Sequence, residues 1–244
     1  MHSSDSPRLP RVSIIFPYYD NPEMLRFQLH HFQQYSTEAL DACEIVVVDD
    51  CSPTFPARDV LREFALPNVR LFRVGVDRPW NQDAARNIGA YEASGLYLLL
   101  TDIDHVVPEA TLLELCDIVD NRTVYTLARK AHFSEKVVPS HVNSYFLSKE
   151  LYWSIGGYDE DFWGAYGSDR LFRTRVLKSA PTKELLTARL ELVTRGSISD
   201  AKNTSFSRQP SIWRRFRSLV LRLLKKLGLR QSPVTLKNPY LPEP

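Results

Sequence analysis

The chain has 244 residues, 43% hydrophobic and 25% charged, the profile of a globular protein long enough for one large domain plus appendages. Three cysteines, Cys43, Cys51 and Cys116, form an odd set without CxxC spacing, which argues against a disulfide framework or a zinc knuckle. The net charge of +2 hides an asymmetry: residues 1–200 carry 21 Lys and Arg against 28 Asp and Glu, while residues 201–244 carry ten against Glu243 alone, the mark of a basic tail that meets an anionic surface.

Residues 1–10 are rich in Ser and Pro and lack the apolar core of a signal peptide, so a flexible N-terminus and a cytoplasmic protein are expected. No run approaches the ~18 apolar residues that a spanning helix needs. The first predicted strand is Val12–Phe16, a β-branched run closed by Pro17. Pro22 then opens a helix to Tyr35, with Leu25, Leu29 and Phe32 at helical spacing. A strand over 44–48 runs straight into Asp49 and Asp50, followed by a helix near 57–64, a strand 69–74 and a helix 82–94. The strand 96–101 ends in Asp102-Ile103-Asp104, and a helix 110–119 and a strand 123–128 continue the alternation. After these come a strand at 144–147, a short helix at 148–155 and a helix from about Ser168. Alternating strands and helices predict an α/β domain over 11–196, built on a mostly parallel sheet flanked by helices. Residues 197–244 read as a linker and a basic amphipathic tail.

Carboxylates at the ends of buried strands fall on the sheet edge where open α/β folds bind ligands. Asp102 and Asp104, one residue apart after the apolar Leu98-Leu99-Leu100, can face one pocket, where they repel unless a cation or donor sits between them. Hard oxygen ligands of this kind favour Mg²⁺ or Mn²⁺ bridged to phosphates; an acidic surface turn is the plainer alternative.

Five segments in order, VSIIFPYYDNP, EIVVVDDCSP, AARNIGA, LLLTDID and GGYDEDFWGAYGSD, together resemble a family 2 glycosyltransferase of the GT-A fold over roughly residues 11–178. The resemblance implies a nucleoside-diphosphate-sugar donor, UDP-linked by first expectation, with Pro17, Tyr18 and Asp20 lining the nucleotide pocket and Asp50 on the base. It places Arg86 and Asn87 beside the donor, Asp102 on the ribose or sharing the metal, and Asp104 as the direct ligand of Mn²⁺ or Mg²⁺. A helix-surface ion pair is the alternative for Arg86.

An inverting transfer needs a base for the acceptor hydroxyl. Asp169 is the candidate, although a helix cap is an alternative role for it or for Ser168. The family usually reads Glu-Asp at this place; here Ser168 precedes Asp169 and is assigned with Trp163 to the acceptor side, a glycan or glycolipid. Every histidine lies at or before position 141, so none follows Asp169 to complete a metal shell.

In the tail, Ile212, Trp213, Phe216, Leu219, Val220, Leu223, Leu224 and Leu227 recur every three or four residues among six Arg and Lys, and Gly228 is placed to end the helix. An anionic membrane surface is the expected partner of residues 212–229, with the enzyme peripheral at the inner face; packing of the apolar stripe on the domain is the alternative. No nucleic-acid motif accompanies the charge. Two rival functions remain: a nucleotidyltransferase, disfavoured because no glycine-rich phosphate loop follows the first strand, and a catalytically inactive donor-binding or scaffold protein of the same fold.

Overall fold

The computed structural model describes residues 11–132, 134, 136–165, 167–194, 196–199 and 212–243. The expected flexible N-terminus, Tyr166 and residues 200–211 of the expected linker lie outside the described residues.

The chain order is β1 (Val12–Tyr18), α1 (Pro22–Phe32), α2 (Thr37–Ala42), β2 (Cys43–Asp49), α3 (Ala57–Leu61), β3 (Val69–Val74), α4 (Gln82–Glu92), β4 (Tyr97–Leu100), β5 (His105–Val106) and α5 (Glu109–Cys116). It continues with β6 (Val124–Ala131), β7 (Val137–Val138), β8 (Tyr145–Ser148), α6 (Lys149–Ile155), a 3₁₀ turn (Glu160–Phe162), α7 (Asp169–Ser179), β9 (Thr182–Leu192), α8 (Ile212–Lys226) and β10 (Tyr240–Glu243).

One sheet runs β10-β3-β2-β1-β4-β8-β6-β9-β5, with β7 beside β6. Its core, β3-β2-β1-β4, is parallel, as are β6 and β9, while β8, β5 and β10 join antiparallel at its flanks. Both faces of β2, β1 and β4 are covered, which is why these strands read as largely apolar runs, whereas β3 carries Arg70 and Arg73. Ile14 and Phe16 pack into the layer with Leu25, Leu29 and Phe32 of α1; Ile15, Val46 and Val48 pack into the other, with Ala85 and Ile88 of α4. Gly89 lets α4 approach this closely, since a Cβ there would stand 2.5 Å from Ile15 Cγ2.

Local signals set the helix ends. The Asn21 side chain accepts from Met24 N at 3.2 Å with Pro22 at the first turn, and Ser148 Oγ accepts from Leu151 N at 3.1 Å. Gly228, with φ of 70°, follows α8 in the left-handed conformation that stops a helix.

Two features depart from the expected layout. Thr182–Leu192 is a strand, parallel to β6 and antiparallel to β5, although its Glu, Leu, Lys and Ala are helix formers; its two neighbours supply what propensity lacks. The end of the tail also joins the domain sheet, because β10 pairs with the edge of β3, Tyr240 against Val74. Among the described residues no helix is long and apolar enough to cross a membrane.

Candidate active site

The C-terminal ends of β1, β2 and β4 meet at one edge. Tyr18 lies in register with Asp49, and Ile15 with Leu100, so the loops carrying Asp20, Asp50 and Asp102 emerge side by side. Asp49 staples its own loop, accepting from Ser52 N (2.7 Å), Ala57 N (3.0 Å) and Arg73 Nη1 (2.9 Å). Asp20 and Tyr18 tie the first loop to the second: Asp20 Oδ1 accepts from Thr54 N (3.1 Å) and Phe55 N (2.8 Å), and the buried Tyr18 hydroxyl donates to Phe55 O (2.6 Å). Both residues therefore shape the pocket, Tyr18 through its hydroxyl and Asp20 through Oδ1. Pro17, half-buried opposite Val48, sits where β1 leaves the sheet.

Asp50 is different. One of its oxygens accepts from Asn81 N at 3.2 Å, just before α4, while Oδ1 is buried and has no hydrogen-bond partner among the described residues. Burial drives this carboxyl well above the usual carboxylate range. An unmet buried acceptor is costly, and a ligand N–H would satisfy it.

Arg86 is fully buried, which corrects the alternative of a helix-surface ion pair. Its Nη2 donates to Asp102 Oδ1, Asp83 Oδ1 lies 3.9 Å from Nη1, and the Tyr158 ring lies 5.2 Å from the guanidinium. Asp102 Oδ2 faces His141 Nε2 at 3.5 Å. Burial alone would raise the Asp102 carboxyl, but the Arg86 guanidinium beside it holds it below the usual range. Burial also pushes the Asp83 carboxyl up to about 6, against the pull of Arg86.

Asn87 turns its amide inward. Nδ2 donates to Tyr158 O and Glu160 Oε1, both at 2.8 Å, and Oδ1 accepts from the Tyr152 hydroxyl (2.6 Å) and Tyr158 N (2.8 Å). These four bonds exhaust the side chain. In this structure Asn87 thus positions the 156–160 loop and has no atom left for a donor substrate, a correction to its expected role.

Asp104 is one-third exposed, and its Oδ1 stands 2.6 Å from His105 Nδ1, off the direction a hydrogen bond requires. Arg129 can only donate, so His105 Nε2, 3.0 Å from Arg129 Nη1, accepts and leaves the ring proton on the Asp104 side. Among the described residues no group of three or more His, Cys, Asp or Glu is arranged to hold a metal ion. The donor set still suits a hard cation of the Mg²⁺ class, which takes one or two carboxylates and fills its remaining positions with water and substrate phosphates.

Asp169 is half-buried in the first turn of α7 and makes no hydrogen bond or ion pair among the described residues, yet its charge reaches Asp83, Arg86 and Tyr145. Ser168 makes no side-chain cap, contrary to the capping alternative, and its buried hydroxyl lies against the Asp83 carboxyl, whose charged form it favours. Trp163 already has two cationic neighbours: the Arg217 guanidinium lies 4.2 Å from its ring and that of Arg78 5.5 Å.

Sequence reasoning missed Asp83, Arg129 and His141. Asp83 precedes Arg86 by one helical turn, a legible signal; Arg129 and His141 reach the site only through the pairing of β6 with β9 and the loop before β8.

The profile of the family described as Glycosyl transferase family 2 matches residues 13–178. No curated protein sequence matches the chain significantly. Among solved structures it is similar to S. aureus TarS (residues 1–349) in complex with UDP-GlcNAc, at a TM-score of 0.65 and 18% identity, over 80% of this chain and 60% of that one. GalNAc-T7 with UDP, GalNAc and Mn²⁺ is similar at a TM-score of 0.58 and 16% identity, over 82% of this chain and 48% of that one. The chain therefore spans about 60% of the TarS fragment, and the likeness at these identities is one of fold.

Proposed function

The chain belongs to glycosyl transferase family 2, and from that premise we propose that it moves a sugar from a nucleoside diphosphate, UDP by preference, to a hydroxyl of a glycan or lipid-linked acceptor. The observation that carries this reading is a set of three carboxylates of different character, Asp50 and Asp102 at one sheet edge and Asp169 at the start of α7, where its charge reaches Arg86. Asp50 offers a buried unmet acceptor, Asp102 is held by Arg86, and Asp169 has no hydrogen-bond partner among the described residues. The UDP-sugar bound by the TarS fragment and the UDP held by GalNAc-T7 support the choice of nucleotide.

In this reading the unmet Oδ1 of Asp50 accepts a base N–H, and Pro17 covers the base from the end of β1. Arg86 fixes Asp102 toward the ribose. Asp104, assisted by the second oxygen of Asp102, would hold Mn²⁺ or Mg²⁺, which supplies positive charge to the departing diphosphate. Asp169 takes the proton of the acceptor hydroxyl as its oxygen bonds to the anomeric carbon. The bond from that carbon to the diphosphate oxygen breaks, and its electron pair leaves with the nucleotide. One displacement without a protein nucleophile inverts the anomeric configuration. The free thiols of Cys43, Cys51 and Cys116 support a reducing, cytoplasmic setting.

The test is UDP release from a UDP-sugar such as UDP-GlcNAc with Mn²⁺, for the wild type, Asp104→Ala and Asp169→Asn. Undiminished turnover in both variants would sink the assignment.

A further inference from the structure

The amphipathic helix α8 packs with the face opposite to the one its composition suggests. Arg214, Arg217, Ser218, Leu221 and Lys225 turn toward the domain. Arg217 donates to Asp161 O (2.8 Å) and Trp163 O (3.2 Å), and Lys225 pairs with Asp159 (2.8 Å) and Asp161 (3.0 Å). A Cβ at Gly164 would stand 3.3 Å from Arg214 Cδ, so the packing is close. The apolar stripe points away: Ile212 is 85% exposed, Trp213 78%, Phe216 58%, Leu219 67% and Leu223 56%. Along one edge of this stripe, spaced seven and four residues apart, run the exposed Arg215, Arg222 and Lys226.

An apolar stripe turned outward on a helix whose opposite face is pinned by ion pairs needs a partner. We infer that the outward face of α8 docks on an anionic lipid bilayer, the stripe in the headgroup boundary and the three basic side chains on the lipid phosphates. Charge complementarity selects this occupant. No acid lies between residues 201 and 242, so a second copy offers no carboxylate of its own α8 to meet Arg215, Arg222 and Lys226. At 15 residues the helix is too short to span, and it lies in the surface instead. Because its inner face holds the 159–163 loop, docking places that loop about 10 Å, one helix diameter, from the lipid. A lipid-linked acceptor would be presented there.

The inference stands apart from the transfer reaction, since its readout needs no turnover. The full chain is sedimented with vesicles of phosphatidylcholine mixed with phosphatidylglycerol, and with vesicles of phosphatidylcholine alone. Binding is expected to the anionic vesicles and to fall with added salt. Substituting Arg215→Gln, Arg222→Gln and Lys226→Gln together is expected to lower the partition coefficient by about a hundredfold. Trp213→Ser with Phe216→Ser is expected to abolish binding, with the melting temperature unchanged because both side chains are exposed. A wild type that stays in the supernatant, or variants that pellet like it, would overturn the inference. So would a dimer in size-exclusion chromatography that the Trp213→Ser, Phe216→Ser variant splits, since a second copy would then be the occupant.

Discussion

The guanidinium of Arg86, fully buried on α4, is paired with Asp102 at the end of β4, one charge of the candidate site fixed by the other. Removing one partner of such a pair leaves an uncompensated charge in a low-dielectric setting, a larger loss than the net worth of the pair. Arg86→Met is expected to destabilise the protein by about 3–5 kcal/mol in urea unfolding. Adding Asp102→Asn should recover part of that loss, a coupling of about 0.5–3 kcal/mol in a double-mutant cycle. Strict additivity of the two substitutions would show the pair to be incidental.

Asp169→Asn keeps the shape of the side chain and removes its basicity. Turnover is expected to fall about 10²–10⁴-fold, with UDP affinity and melting temperature unchanged. A variant that instead loses UDP affinity at constant turnover would assign Asp169 to donor binding.

Asp83 gives a pH signature. Its carboxyl is pushed up to about 6 in the folded protein by burial, against about 3.9 in an unfolded chain. The native state thus keeps its proton while the unfolded state has released it. The contribution is fully present below pH ~4 and is lost as the pH rises through about 6. Asp83→Asn cannot ionise, so its stability relative to the wild type is expected to rise between those pH values and then level off. A difference that stays flat across this interval in denaturant titrations would refute the environment assigned to Asp83.

Asp161 carries the opposite sign. Burial opposes its ionisation, yet Arg230, Lys237 and Lys225 hold the carboxyl well below the usual range. The stability it contributes is present above the unfolded value of about 3.9 and lost as the pH falls through the lower folded one. Asp161→Asn is expected to cost about 3–5 kcal/mol at neutral pH, less in strong acid, and to expose the chain after Lys225 to trypsin. Unchanged proteolysis at neutral pH would mean that the tail is held by other contacts.

The strands, most helices and the strand-end acids were legible because they are local. Val12–Tyr18 and Cys43–Asp49 are buried on both faces and read as apolar runs, and Asn21-Pro22 and Gly228 mark helix ends by their own side chains and φ. Thr182–Leu192 was not legible, since its strand state comes from β6 and β5 and its own residues favour helix. Asn87, in turn, reads as a polar neighbour of Arg86, and only the loop folded against it shows that its amide is fully spent.

The sequence by itself determined that α8 would have an apolar and a basic face, because helical periodicity is a property of neighbouring residues. Which face packs was decided by the tertiary structure. Asp159 and Asp161, 66 and 64 residues before Lys225, lie buried beneath the helix and neutralise basic side chains that could not otherwise be taken out of water. The acidic body and the basic tail thus answer each other at this contact, and the apolar stripe is left facing outward.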